Sequence, residues 1–413
     1  MQTTNGVILF DKAKPQPAAG EVKIAQAVSR VLRPHPEPRG PLMPHFDMEN
    51  ETVKQLLEDG VAIVRACSAE RADALRSGFW DDLEALGTGI ERNDPDTWNN
   101  SNWPQTTHGL LQNQHWGLRE SVCEARLECV EAFKGLFGNQ LVNSSFDAVS
   151  VARPDSQQRA FTKEVNLNER YGESELLSSW LHFDQSNLVT GVAHHVQSAL
   201  ALEDLGEAEQ RTHFVIPPKG TTIQEFRDRF LDAFPLTEEA KSSDAERDEW
   251  ISLALKAKVE DTDPLVLAKR KWLLEHGRVY TPTLKKGELV FWLSAVPHAS
   301  IPGPCPEGQE RKVRISAFVC MKPSVLVDEK HRATRDAMLE DLQTSGHGVT
   351  SDGKNGKPRR RKFVETGRTY GKALPKFKKD RVVKASKRAL AASGAPDWSV
   401  ARKTQRLCAG AGL

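Results

Sequence analysis

The spacing of apolar residues changes from a helical to a strand-like period near residue 140, and this change limits the fold more than any other feature of the chain. Within 120–137, apolar residues recur every three or four positions, which predicts an amphipathic helix. Beyond that point they alternate or form short runs bounded by turn residues, which is typical of strands. The strand-like runs are 143–152, 180–184, 196–202, 213–216, 287–294 and 312–321.

A stretch of different character separates these strands. Residues 222–276 combine large apolar side chains with dense Glu, Lys and Arg, which predicts two or three amphipathic helices. Near the start of the chain we expect a helix that is capped at Asp47 or Asn50 and ends at Gly60, and another over about 68–86. These elements predict a mainly β, α+β fold: a double-sheet jelly roll with flanking helices and a helical insertion, 222–276, between strands.

The two ends of the chain differ from this body in composition. Residues 1–46 contain repeated prolines and are predicted to form an extended arm. Residues 351–413 carry 18 Lys and Arg but four Asp and Glu, whereas the net charge of the whole chain is +1. We therefore expect one folded domain, 47–325, followed by a basic, partly disordered tail, 326–413.

Several classes of protein are disfavoured by composition. The chain has no run of 18 apolar residues, so no transmembrane helix and no membrane contact are expected. Its first residues lack the basic and apolar regions of a signal peptide. Six scattered cysteines form no Cys-x-x-Cys motif and are interpreted as reduced thiols. These features favour a cytoplasmic location, with a nuclear one as the alternative.

Two histidines and one aspartate form the candidate metal site. His182 and Asp184 lie at i and i+2 of a predicted strand, so both side chains point to the same face. His298 follows the predicted strand 287–294 and stands directly after Pro297. Two imidazoles and one carboxylate leave three positions open, as a non-haem Fe(II) centre requires to bind a co-substrate and O2 together. The sequence therefore predicts Fe(II) ligands at His182, Asp184 and His298.

Other histidines compete for this role. The pattern His-x-acid also occurs at His35, among prolines, and at His45, where Asp47 would instead cap a helix. Both are expected to lie outside the site. The rivals for the third ligand, which we expect to pack beside a neighbouring strand, are His194, His195 and His213.

An arginine in an apolar strand is the candidate anchor for an acidic co-substrate. Arg314 follows His298 by sixteen residues and begins the predicted strand. Its planar guanidinium can bind a carboxylate through two parallel hydrogen bonds, and Ser316 on the same face can donate one more. A buried arginine is costly without an anion, which favours this residue over the polar-turn residues Arg311 and Lys312.

With these residues placed, the chain resembles the phytanoyl-CoA dioxygenase-like family of Fe(II)/2-oxoglutarate oxygenases over about 140–325. The order His-x-Asp, His, Arg along the chain carries the likeness. The resemblance implies a double-stranded β-helix (cupin-like) core, iron held by His182, Asp184 and His298, and 2-oxoglutarate bound by Arg314. The stretches that match are 181–185, 196–202, 286–298 and 313–323.

The resemblance also implies the reaction. 2-Oxoglutarate and O2 are converted to succinate and CO2 while a substrate C–H bond is oxidised, usually by hydroxylation. The insertion at 222–276 departs from the family pattern, which leaves the substrate open. Residues that could line the pocket, or simply belong to the core, are Trp180, Phe183, Gln185, Gln197 and Trp292.

Three functions remain open at this point. The first is an enzyme acting on a small organic or lipid-like metabolite, which we favour. The second is an oxygenase of a nucleobase or protein side chain, guided by the basic tail; 351–413 also fits a nuclear-localisation or solubilising segment. The third is a non-catalytic β-helix binding module, which the intact set of candidate ligands argues against.

Overall fold

The computed structural model describes most of the predicted domain. The predictions for most of the proline-rich arm and of the basic tail, and for Trp180, Asp184 and Gln185, lie outside the described residues. Near the start of the chain, the backbone of two short strands, β1 (Gln2–Thr4) and β2 (Val7–Leu9), pairs antiparallel. The remaining described residues are 45–104, 106, 110–112, 116–140, 142–153, 181–183, 196–207, 211–234, 251–253, 263–294, 296–301 and 312–326.

Helices occur where the sequence predicted them. Asn50 rather than Asp47 caps the first helix, because its side chain accepts a hydrogen bond from the Thr52 N–H, and Gly60 ends it with φ +75°. Within the described residues no helix is both long and apolar enough to cross a bilayer. The helices are α1 (Glu51–Asp59), α2 (Ala69–Glu84), α3 (Glu120–Leu136), α4 (Ile223–Ala233) and α5 (Pro264–His276).

Apart from the β1–β2 pair, the described strands form two antiparallel sheets, and the larger of them lies at the centre of the described domain. Its middle strands are buried, and its longest strand begins at Arg314. In spatial order the strands are β3 (Val61–Arg65), β12 (Glu288–Leu293), β8 (Val196–Ala201), β14 (Arg314–Pro323), β6 (Val149–Ala152) and β4 (Leu110–Leu111), with β5 (Val142–Ser144) pairing separately with β14.

The smaller sheet carries both described candidate metal ligands, and it is also antiparallel. One of its edge strands comes from the insertion. The strands in spatial order are β10 (Ile251–Ser252), β7 (His182–Phe183), β13 (His298–Ile301), β9 (Arg211–Ile216) and β11 (Arg278–Tyr280).

The two faces of the larger sheet have different partners. On one face, Phe291 packs against Phe133 of helix α3, with ring centroids 4.9 Å apart. The next residue, Trp292, points the other way and packs against Phe214 of the smaller sheet at 5.7 Å. Helices therefore cover the outside of the larger sheet, and its inner face meets the smaller sheet. The structure confirms a mixed fold of helices and antiparallel sheets.

The insertion is less purely helical than predicted. Helices α4 and α5 are present and pack through Phe226, Phe230 and Trp272, with centroid distances of 5.5 and 5.6 Å to the tryptophan. Between them, however, β10 pairs with His182 and Phe183. A two-residue strand is too short to show a period of two, so no sequence pattern could reveal it.

Gly287 provides a test of how the larger sheet is held. Its φ is +84°, and an added Cβ would lie 2.4 Å from the carbonyl oxygen of Cys67. Gly87 has a similar φ of +66° but open space around it. Both Gly→Ala changes should cost roughly 1–2 kcal/mol of backbone strain. Gly287→Ala should cost a further 1–3 kcal/mol, approximately the usual effect of overpacking.

Urea unfolding followed by circular dichroism measures this difference. We expect the midpoint of Gly287→Ala to fall clearly below that of Gly87→Ala. Equal midpoints would show that the chain near Cys67 can move aside without loss of stability.

Candidate metal and anion site

His182 and His298 lie side by side on neighbouring strands. They are directly opposite in the antiparallel register of β7 and β13. Directly opposed residues share one face of a sheet, and here the two imidazole centroids are 4.4 Å apart. Both side chains are buried between the two sheets. Two nitrogen ligands from separate parts of the sequence are thereby placed within reach of one cation.

The hydrogen bonding of His298 suits a metal ligand. Its Nδ1 lies 3.0 Å from the carbonyl oxygen of Val296. Because a carbonyl only accepts, Nδ1 carries the proton, and the lone pair that can bind a metal is on Nε2. Such a bond to a backbone carbonyl is the usual way in which a ligating histidine is oriented. Imidazole suits Fe(II), so the described donors fit the predicted metal.

The third predicted ligand, Asp184, lies outside the described residues and stays a prediction. Within the described part of the chain, no three His, Cys, Asp or Glu side chains form a group that could hold a metal. The rivals His194 and His195 also lie outside it.

The structure separates the rival His213 from the candidate site. His213 is opposite Ala299 in the register of β9 and β13, whereas Phe214 is opposite His298. His213 therefore points to the other face of the sheet, where its Nδ1 lies 2.8 Å from the Thr281 hydroxyl.

Arg314 is buried without a carboxylate partner among the described residues. Its side chain is 1% exposed, and its Nη1 donates to the Ser300 hydroxyl at 2.6 Å. Nη2 donates to the Thr212 hydroxyl at 3.4 Å, and Nε has no partner within the described chain. Burial lowers the pKa of Arg314 to about 10 because it removes the charged guanidinium from water. An anion bound here would offset that cost.

A pocket opens at the guanidinium. Arg314, Thr212 and Ser316 provide its polar wall, and the Ser316 hydroxyl is buried with no partner among the described residues. Arg211 contributes a second cation, although two of its nitrogens donate to the carbonyls of Thr281 and Glu207. The apolar wall consists of Ala199, Leu205, Pro282, Leu284 and Val290.

Ser300 and Thr212 accept hydrogen bonds from Arg314, and neither contact is among the predictions from the sequence. Ser300 follows His298 by two residues on β13, so both point to the same face. That spacing is visible in the sequence. Thr212 is opposite Ser300 in the register of β9, which only the strand pairing reveals.

The remaining described residues of the predicted pocket lie in two different places. Trp292 is on the inner face, with its ring centroid 5.4 Å from that of His298. Gln197 is opposite Trp292 in the register and donates to the Ser294 hydroxyl at 3.1 Å. Phe183 instead faces away from His182 and packs against Phe230 of α4 at 5.3 Å. Helix α4 of the insertion thus packs against the face of β7 that is opposite to the side chain of His182.

Comparison with known proteins gives distant structural similarity alone. No protein-family model matches the chain, and no curated protein matches its sequence. Solved structures that are similar include the non-haem alpha-ketoglutarate-dependent epimerase SnoN from nogalamycin biosynthesis, with a TM-score of 0.36, 11% identity, and coverage of 66% of this chain and 82% of that one.

Two further solved structures are similar to this chain at comparably low TM-scores and sequence identities. EctD from S. alaskensis, solved with 2-oxoglutarate and 5-hydroxyectoine, gives a TM-score of 0.37 at 13% identity and covers 72% of this chain and 89% of its own. The non-haem monooxygenase ThoJ gives 0.33 at 12% identity and covers 87% and 97%. At these values, the function of this chain must be argued from its own residues.

His298 and His213 lie on neighbouring strands but point to opposite faces of the sheet, so they allow a matched test of the metal site. His298→Ala should lower the affinity for Mn(II), an air-stable substitute for Fe(II), by about 100-fold or more, since loss of even an outer partner of a ligand costs about 10–100-fold. His213→Ala should leave this affinity nearly unchanged. Titration calorimetry of the purified full chain measures both. Equal effects of the two substitutions would show that the metal binds elsewhere.

Proposed function

We propose that this chain is a non-haem Fe(II)- and 2-oxoglutarate-dependent dioxygenase that oxidises a C–H bond of a small organic or lipid-like metabolite. The observation that carries the proposal is the position of His298 and Ser300 on one face of β13. The histidine adjoins His182, and the serine accepts a hydrogen bond from Arg314. The candidate metal ligand and the hydroxyl that contacts Arg314 thus lie on the same face of one strand.

The metal would be held by His182, His298 and Asp184. Bound iron would activate O2, which is the oxidant: one of its oxygen atoms converts a substrate C–H into C–OH, and the other enters succinate as 2-oxoglutarate loses CO2. The protein's part is to orient the ligands. The carbonyl of Val296 fixes the His298 ring, and the insertion packs behind the strand of His182 through Phe230.

The pocket at Arg314 would bind the distal carboxylate of 2-oxoglutarate. Residues at i and i+2 of a strand are separated by about 6.6–6.8 Å, which is close to the length of a five-carbon diacid. A carboxylate at Arg314 can also accept hydrogen bonds from Thr212 and Ser316. The apolar wall around Val290 and Leu284 excludes water, which strengthens the attraction between guanidinium and carboxylate.

The fold supports the same proposal. Two antiparallel sheets face each other, with the histidines on the smaller sheet and Arg314 on the larger one. This arrangement suits a double-stranded β-helix core and the resemblance to the phytanoyl-CoA dioxygenase-like family. A small-molecule substrate is favoured because both histidines are buried, so that a ligand must be small enough to reach them between the sheets.

The composition of residues 351–413 favours a second candidate substrate class. A segment with 18 Lys and Arg can bind phosphates and bring a nucleic acid to the site. Changing Arg359, Arg360 and Arg361 to Gln should then weaken binding of a single-stranded oligonucleotide and reduce its salt dependence. Turnover of a small molecule that is unchanged by these substitutions would favour the small-molecule hypothesis.

2-Oxoglutarate binding and uncoupled conversion to succinate test the proposed function. With Fe(II), the wild type should bind 2-oxoglutarate anaerobically and form succinate in air. Asp184→Ala and His182→Ala should abolish succinate formation. Arg314→Lys retains the charge but loses the paired hydrogen bonds, so the Kd should rise at least tenfold, equivalent to about 1.4 kcal/mol.

Lys312→Ala is the matched control for Arg314→Lys, because Lys312 is an exposed cation two residues away. It should leave the Kd for 2-oxoglutarate unchanged. An iron-loaded wild type that does not bind 2-oxoglutarate would exclude the proposed function and favour a binding module without this chemistry.

A further inference from the structure

Trp292 has an unusual hydrogen-bonding state for a buried tryptophan. Its side chain is 1% exposed, and the indole Nε1–H has no acceptor among the described residues. Trp98, by contrast, donates from its indole to the carbonyl of Glu91 at 2.9 Å. A buried donor without an acceptor is unfavourable because it has lost its hydrogen bond to water. A bound ligand that supplies an acceptor would remove this cost.

The surroundings of Trp292 hold the indole between the two sheets. Its ring lies 5.4 Å from His298, 5.7 Å from Phe214 and 6.1 Å from Phe318, measured between centroids. Gln197 is the polar residue opposite Trp292 on strand β8, and its amide N–H donates a hydrogen bond to the Ser294 hydroxyl. The described residues around Trp292 therefore provide aromatic contacts and a donor beside a candidate metal ligand.

The Arg314 pocket runs toward this indole along both sheets. On the larger sheet, Val290 lines the pocket, and Trp292 is the next residue of β12 on the same face. On the smaller sheet, the Ser300 hydroxyl accepts a hydrogen bond from Arg314, and His298 is the preceding residue of β13 on the same face. A linear diacid anchored at Arg314 would place its other end between Trp292 and His298.

We propose that the Trp292 indole N–H donates a hydrogen bond to the 2-oxo acid end of 2-oxoglutarate, opposite the end that Arg314 binds. This inference rests on the proposed function, since it concerns the same co-substrate. It assigns Trp292 a binding role that packing alone does not require. Both donors then lie on the larger sheet, Arg314 on β14 and Trp292 on β12, with one at each end of the co-substrate.

Trp292→Phe tests the role of the N–H because it retains an aromatic ring. Trp116→Phe is the matched control: Trp116 is also 1% exposed, its indole N–H also lacks an acceptor among the described residues, and it packs against Phe79 at 5.5 Å. Two ligands serve as probes. 2-Oxoglutarate has both ends, whereas butyrate has the carboxylate for Arg314 and no acceptor at its other end.

We expect Trp292→Phe to raise the Kd for 2-oxoglutarate about tenfold to a hundredfold, the usual effect of losing a hydrogen bond to a charged group. The Kd for butyrate should change less than about twofold, because butyrate has no group that could accept a hydrogen bond from the indole N–H. The anaerobic visible absorption band of Fe(II) chelated by 2-oxoglutarate should also shift. Trp116→Phe should change none of these quantities.

Other outcomes overturn the inference. An equal loss of affinity for both ligands would show that Trp292 acts through packing of the pocket. Unchanged affinity and an unchanged absorption band would show that the N–H does not contact the co-substrate. Failure of the iron-loaded wild type to bind 2-oxoglutarate would exclude the proposed function itself, and that result is visible before any variant is made. Thermal melting of each variant confirms that it is folded.

Discussion

The burial of Arg314 is the constraint on which the site depends. A guanidinium that is 1% exposed loses most of its hydration, and two hydroxyls, those of Ser300 and Thr212, do not neutralise its charge. No carboxylate contacts it within the described chain, so the folded protein retains an unfavourable charge at the end of β14. A bound anion would offset this cost.

The register of β13 links this position to the histidines. β13 lies between β7 and β9, and His298 is directly opposite both His182 and Phe214. A slip by one residue would turn His298 and Ser300 to the other face together. The register of β13 therefore sets the position of the candidate metal ligand His298 together with that of Ser300, the hydrogen-bond partner of Arg314.

Much of this arrangement could be predicted, for reasons visible in individual residues. Asn50 and Gly60 mark helix α1 because a capping side chain and a left-handed C-cap are local signals. Arg314 can be singled out because a charge in an apolar strand is costly without a partner; its burial is observed, and its role in binding an anion stays a prediction. Thr212 and the strand at 251–252 were missed because their roles depend on pairing between distant segments. Asp184 stays a prediction, since it lies outside the described residues.

The pairing of β10 with β7 has a consequence for how the protein folds. β7 has two residues, and its described neighbours on either side come from distant parts of the chain, one of them from the insertion. Closing such long loops costs entropy before any contact is gained, so long-range pairs of this kind form slowly. The strand bearing His182 would then be among the last parts to become ordered. Newly made chains would then acquire their outer shell of helices and sheet before His182 and His298 come together.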